Sequence, residues 1–260
     1  MNLKQKLDYH YKAFDKSQIS PDPLQFLHLF SKEEDIEVIG FIASIFAYGN
    51  VKQIINTLDK ILIISGSKPY DFVMDFDKAR NKIKLKGLKH RFYTDDDIQN
   101  LFSSLNSIYR EKVSLKNLFI ENFDAKEQNI KNGLSSFSKN FINEIKKRTK
   151  VKKVSPGVRF MFPLPELRSA CKRMNLFLRW MVRKDELDFG LWSEIHPDKL
   201  VIPVDTHIAR ICTTLKLTTY KNVSWKMAEE ITENLKKFDP VDPVKYDFAI
   251  CHIGMRKMKF

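Results

Sequence analysis

From Leu24 to Ile250 apolar residues return every three or four positions, and little in the chain interrupts them. That spacing lays one apolar stripe along an α-helix. Only 8 glycines and 10 prolines stand among the 260 residues to break it. An all-α chain is therefore expected. Asp22-Pro23 opens a segment carrying Leu24, Leu27 and Phe30. Ser31-Lys32-Glu33-Glu34 reads as a capping box for a helix over 36–48. Gly49-Asn50 ends it, and further helices are predicted over 51–64, 69–82, 95–109, 115–123 and 130–147. Ser155-Pro156-Gly157 and Phe162-Pro163-Leu164-Pro165 read as irregular. They lead into a helix over 166–184, and Asp188-Phe189-Gly190 closes that region. The tail is expected to hold helices over 205–215, 224–237 and 243–254.

A chain of 260 residues, 43% of them hydrophobic, is long enough for one sizeable domain or two interlocked ones. Lys and Arg number 45 against 32 Asp and Glu, a net charge of +13. Such a balance attracts polyanions, nucleic acid first and an acidic membrane second, although a lysine-rich surface is also simply well solvated. The run from Lys146 to Lys153 fits either a phosphate-facing loop or a solvated one. Cys171, Cys212 and Cys251 are scattered, so no disulfide framework, zinc ribbon or four-cysteine cluster is expected, and no metal. The longest apolar run, Val38 to Tyr48, is too short to span a bilayer. Residues Met1 to Asp15 are amphipathic and charged, unlike a signal peptide. A soluble cytoplasmic protein without a membrane partner is the expectation.

Two places concentrate reactive groups. In the first, Arg168, Lys172, Asn175, Arg179 and Arg183 are spaced four, three, four and four apart and share one stripe of a helix. Leu167, Ala170, Met174, Phe177, Leu178 and Met181 fall on its apolar side. Four cations in a row repel unless something negative lies against them. The stripe is either an exposed polar face or, with Leu176 and Trp180 flanking it, part of a covered site. A lysine in such apolar company loses part of its preference for the charged form. In the second place, Leu200-Val201-Ile202-Pro203-Val204 runs into Asp205-Thr206-His207, which sets a carboxylate at a helix start. An N-cap aspartate needs no further role. His207 and Arg210 follow on the same helix.

These segments together resemble the helix-hairpin-helix DNA glycosylase superfamily, to which endonuclease III belongs. The resemblance rests on Lys172-Arg173-Met174-Asn175-Leu176-Phe177-Leu178 followed by Val204-Asp205-Thr206-His207. The chain resembles more closely a bacterial family that carries Lys89-His90-Arg91-Phe92, Ser169-Ala170-Cys171-Lys172-Arg173, Leu178-Arg179-Trp180-Met181-Val182-Arg183 and Asp242-Pro243-Val244-Lys245-Tyr246-Asp247-Phe248-Ala249. That closer likeness spans most of 30–255. The superfamily's hairpin Gly-x-Gly is replaced here by Arg168-Ser169-Ala170. An insertion over roughly 184–200 separates the lysine from the aspartate, as in the archaeal 8-oxoguanine glycosylases.

The resemblance implies two helical lobes with a central cleft, one built from 1–45 plus 195–260 and the other from 46–194. It implies a monomer that needs no cofactor and acts on double-stranded DNA carrying a damaged base, an oxidised purine such as 8-oxoguanine included. Lys172 would be the nucleophile and Asp205 its acidic partner. DNA contacts would come from Arg168, Ser169, Arg173, Asn175, Arg179, Trp180 and His207, and from Asn50 and Gln53 at the polar end of the early core helix. Trp180, Trp192 or Phe189 could stack on the extruded base, although large aromatics of this kind more often belong to the core. Two other readings stay open: a nucleic-acid binder without the chemistry, and a helical protein-interaction module.

Overall fold

The computed structural model describes residues 1–13 and 15–255. Its helices are α1 (Leu3–Ala13), α2 (Glu33–Phe46), α3 (Val51–Ile64), α4 (Pro69–Met74), α5 (Lys78–Leu85), α6 (Asp95–Lys112), α7 (Leu115–Ile120), α8 (Lys131–Thr149), α9 (Pro156–Met161), α10 (Lys172–Val182), α11 (Thr206–Thr214), α12 (Trp225–Lys236) and α13 (Asp247–Met255). Among the described residues β pairing is limited to isolated bridges, His90 with Tyr93 and Lys184 with Phe189. The chain is mostly helical, as the periodicity requires.

Two compact units share the chain: Pro21–Asp124 with Asn132–Pro163, and Met1–Ser20 with Ala125–Lys131 and Leu164–Phe260. These divisions fall at other points than the expected 45/46 and 194/195. The physical reason lies in α10, whose arginines are neutralised by acids of the 185–247 stretch, so the lysine helix belongs with the tail.

In the first unit α2 is apolar on every side and is accordingly buried, with Val38, Ile39, Phe41, Ile42, Ile45 and Phe46 fully enclosed. Phe41 stacks on Phe141 at 5.0 Å, and Phe141 stacks on Phe162 at 4.7 Å. An acid of α2 enters this core. Glu37 accepts hydrogen bonds from the Tyr109 hydroxyl (2.6 Å) and from the N–H groups of Leu115 (3.0 Å) and Lys116 (3.2 Å), which ties α2 to α6 and α7. The expected capping box at Ser31 does not form. Helix α2 starts at Glu33 after Lys32, which offers no side-chain cap. The reciprocal box occurs at Thr94 and Asp97, at the head of α6. The single helix expected over 69–82 divides into α4 and α5, because Asp77 caps a fresh start with its side chain on the Arg80 N–H. The stretch read as irregular after Ser155 holds a helix, α9, with Ser155 as cap and Pro156 at the first position.

In the second unit α10 is the centre. Met174, Phe177, Trp180 and Met181 are almost completely buried, and Trp192 meets the edge of Phe177 at 5.2 Å. The N-terminal helix α1 is built into this unit. Leu7 is fully buried, the Tyr246 hydroxyl donates to Asp8 (2.7 Å), and the Tyr11 hydroxyl donates to Asp185 (3.1 Å). Burial and the neighbouring Asp185 charge push the Tyr11 hydroxyl up to about 12.

Candidate functional site

The lysine helix begins later than its periodicity suggests. Pro165–Leu167 form one 3₁₀ turn, then Arg168 (φ 65°) and Cys171 (φ 49°) take left-handed backbone before α10 starts at Lys172. Left-handed backbone costs a residue other than glycine roughly 1–2 kcal/mol. The bend is held by local bonds. The Arg168 N–H reaches Pro165 O (2.9 Å), the Cys171 N–H reaches Ser169 Oγ (3.2 Å), and Asn175 Nδ2 donates back to Ala170 O (3.1 Å). Asn175, 1% exposed, is thus a clamp on the turn rather than a surface contact. Leu167, expected on the apolar side, is 74% exposed because it precedes the helix.

The turn delivers Lys172 as the first residue of α10. Opposite it, the buried strand-like run Leu200, Val201, Ile202 and Val204 anchors the approach to α11, with the Ile202 N–H on Thr232 Oγ1 (3.0 Å). Asp205 caps α11 as its position predicts, Oδ1 accepting from the His207 (2.9 Å) and Ile208 (3.0 Å) N–H groups. The other oxygen, Oδ2, lies 3.4 Å from Lys172 Nζ, and each side chain is about a third exposed (31% and 29%). Burial works to raise the Asp205 pKa. The Lys172 charge and the two helix N–H groups outweigh it and hold the carboxyl below its ordinary value. An ionised acid and an amine thus face each other at the surface of one unit.

The remaining stripe has a different fate. Arg173, Asn175, Arg179 and Arg183 are all at least nine-tenths buried, and Trp180 is fully enclosed. The expectation that Arg173, Arg179 and Trp180 meet DNA is corrected by that burial. Arg179 is held by Asp247 (2.6 Å) and Asp188 (3.1 Å). Arg183 is held by Asp242 (2.9 Å), Asp185 (2.8 Å) and Asp188. The stripe of cations is possible because two loops and the head of α13 place four carboxylates against it. Burial raises the Asp188 pKa against the pull of both guanidiniums. Asp247, enclosed at the head of α13, is raised by burial to about 6 although Arg179 and Lys172 pull it down.

Near the surface stand Arg168, Ser169, Lys172, His207 and Arg210. Beside the turn lies a hollow of about 490 Å³ lined by Lys131, Glu166, Arg168, Ser224, Trp225 and Lys226. Ser224 caps α12 there, so three cations and the positive end of a helix border one space. Asn50 and Gln53 belong to the other unit, where Asn50 caps α3 by accepting from the Lys52 (3.0 Å) and Gln53 (3.4 Å) N–H groups. Sequence patterning missed Asp188, Asp242 and Asp247. The signal was available, since a row of buried arginines demands an equal row of acids. Among the described residues no helix is long and apolar enough to cross a membrane.

A helical chain with a lysine at a bent helix start and an aspartate capping a second helix defines its class. A family model described as a protein of unknown function, DUF2400, matches residues 22–256, and the chain belongs to that family. Neither curated proteins nor solved structures give a match.

Proposed function

We propose that the protein is a DNA N-glycosylase with lyase activity that removes a damaged base, with an oxidised purine such as 8-oxoguanine as the substrate class. The observation that carries this reading is the 3.4 Å approach of Lys172 Nζ to Asp205 Oδ2, with both groups open to solvent. The ordered pair of motifs that resembles the helix-hairpin-helix glycosylases supports it, as does the net charge of +13.

In this mechanism the base is first rotated out of the duplex, because the glycosidic bond is shielded inside the stack. Lys172 Nζ, with its extra proton given up, attacks the sugar C1′ while the C1′–N bond breaks and the base leaves with the bonding pair and then a proton. Asp205 stabilises the positive charge that develops on the sugar and accepts the second amine proton. Opening of the sugar ring gives a Schiff base. Loss of a C2′ proton then expels the 3′ phosphate, which cuts the strand. Two amide N–H groups hold Asp205 in its charged form. DNA phosphates would meet Arg168 and the cations of the neighbouring hollow.

Borohydride trapping tests this. Wild-type protein incubated with duplex DNA carrying 8-oxoguanine or an abasic site should give a covalent adduct, and Lys172→Gln should abolish it. No adduct with either substrate, or one that survives the substitution, refutes the proposal.

A further inference from the structure

The Lys89-His90-Arg91-Phe92 segment has no part in the chemistry above, yet it is built with unusual care. His90 and Tyr93 exchange both backbone hydrogen bonds (3.1 and 2.9 Å), which leaves Arg91 and Phe92 alone at the tip of a tight turn. Tyr48 fixes that tip from below. Its hydroxyl donates to His90 O (2.7 Å) and accepts from the Phe92 N–H (3.3 Å). The His90 ring is locked in turn, Nδ1 with Thr57 Oγ1 (3.0 Å) and Nε2 with Tyr48 O (3.2 Å).

On this base stands an aromatic cluster open to solvent. The Phe92 ring lies nearly parallel to Tyr48 (15°, 6.3 Å), and Phe160 meets both edge-on, at 4.8 Å from Tyr48 and 5.6 Å from Phe92. The Arg91 guanidinium carbon is 5.5 Å from the centres of both Tyr48 and Phe92. Phe92 is nevertheless 60% exposed and Phe160 38% exposed. Arg91 itself sits at φ 53°, where glycine or asparagine would rest without strain. The turn would be easier to make without an arginine. A guanidinium kept there, beside an uncovered phenyl ring, needs a reason outside the turn.

We propose that this turn is a stacking site for an unpaired nucleobase. The exposed Phe92 ring supplies the sequence-tolerant π-face on which a base lies, and Arg91 extends that face with a planar cation. Charge favours a nucleic-acid strand as occupant. Lys84, Lys86, Lys89 and Arg159 are exposed around the turn. Of the three acids at the head of α6, Asp95 is bonded by the Gly87 N–H (3.1 Å) and Asp97 by Thr94 (2.9 Å), while Asp96 is exposed, so four exposed cations stand against one exposed acid. The site goes beyond the glycosylase reading, because it requires no reaction at Lys172.

The test is fluorescence anisotropy of the full chain with a labelled oligothymidylate, compared with a fully paired duplex of the same length. Phe92→Leu keeps the apolar bulk and removes the ring; it should bind the single strand about tenfold more weakly, with its melting temperature unchanged. Phe92→Trp should restore binding. Arg91→Asn should weaken binding and lower the slope of log affinity against log salt by about one, while leaving the fold as stable or more so. Wild-type protein that does not bind the single strand, or Phe92→Leu that binds it as wild type does, overturns the proposal. So does a concentration-dependent dimer that Phe92→Leu dissolves while oligothymidylate binding stays intact, because the face would then be a protein interface.

Discussion

Replacing Asp247 by asparagine should stabilise the protein at neutral pH, although it removes an ion-pair partner of a buried arginine. Asp247 is enclosed, and burial lifts its pKa from 3.8 to about 6 even after Arg179 and Lys172 have pulled it down. Asp188 shares Arg179, while Asp205 and Cys212 on α11 also feel the Asp247 charge. The folded protein therefore binds a proton more tightly than the unfolded chain does. Its stabilising share is complete below the unfolded pKa and is lost as pH rises through about 6. A shift of about two units corresponds to about 3 kcal/mol. The asparagine carbonyl can still accept from Arg179, but its NH₂ group needs an acceptor of its own, which takes back about 1 kcal/mol. The expected gain is about 1–2 kcal/mol near pH 8 and close to none near pH 4. Urea unfolding followed by circular dichroism at the two pH values measures it, with the denaturant slope unchanged. A variant that loses 1 kcal/mol or more near pH 8 would refute the reasoning, because Asp247 would then be needed as an ionised counter-charge.

Four further outcomes follow from the geometry. Asp205→Ala should cost about 1 kcal/mol through the lost cap, whereas Asp205→Asn should keep the cap and remove only the charge facing Lys172, a separation read by comparing melting with borohydride trapping. Since the Asp205 pKa is lowered, its contribution is present above the unfolded value and lost as pH falls through the folded one, so the stability gap between wild type and Asp205→Asn should close in acid. Arg183→Met should cost about 3–5 kcal/mol, because it takes the cation from Asp185 and Asp242 and leaves the buried Asp188 with Arg179 alone, and chemical denaturation would show it. Gly157→Ala should cost about 1–3 kcal/mol: a Cβ there would collide with the Asp97 carboxylate and stand 3.1 Å from Phe92 O, and thermal unfolding reads the loss.

The helical class was legible because apolar periodicity is a local property that tertiary contacts rarely override over long segments. Cap positions were legible where one side chain decides them, as at Ser224 and Asp205. They failed at Ser31, where the motif was present but the helix opened two residues later. The start of α10 was misjudged because three-and-four spacing continues through Arg168 while the backbone does not: Arg168 and Cys171 turn left-handed without a glycine to announce it. The pairing of Lys172 with Asp205 was legible as a pattern of two segments. The depth of Arg179 and Trp180 was not, since burial of a charge depends on partners that arrive from far along the chain. Asp188 and Asp247 lie 9 and 68 residues beyond Arg179.

The bond between Asp8 and Tyr246 joins residues 238 positions apart, and the unit that contains it draws on three separate stretches of chain. During synthesis the stretch over 21–163 leaves the ribosome with all of its partners present, whereas α1 must wait for Asp185 and then for Tyr246 and α13 before its own contacts are complete. A vectorially growing chain will thus carry Lys172, already emerged, through an interval in which the helix around it has arginines but not yet all their acids. The completed ion network closes last. Lys172 meets its full electrostatic surroundings only after Asp247 has been made.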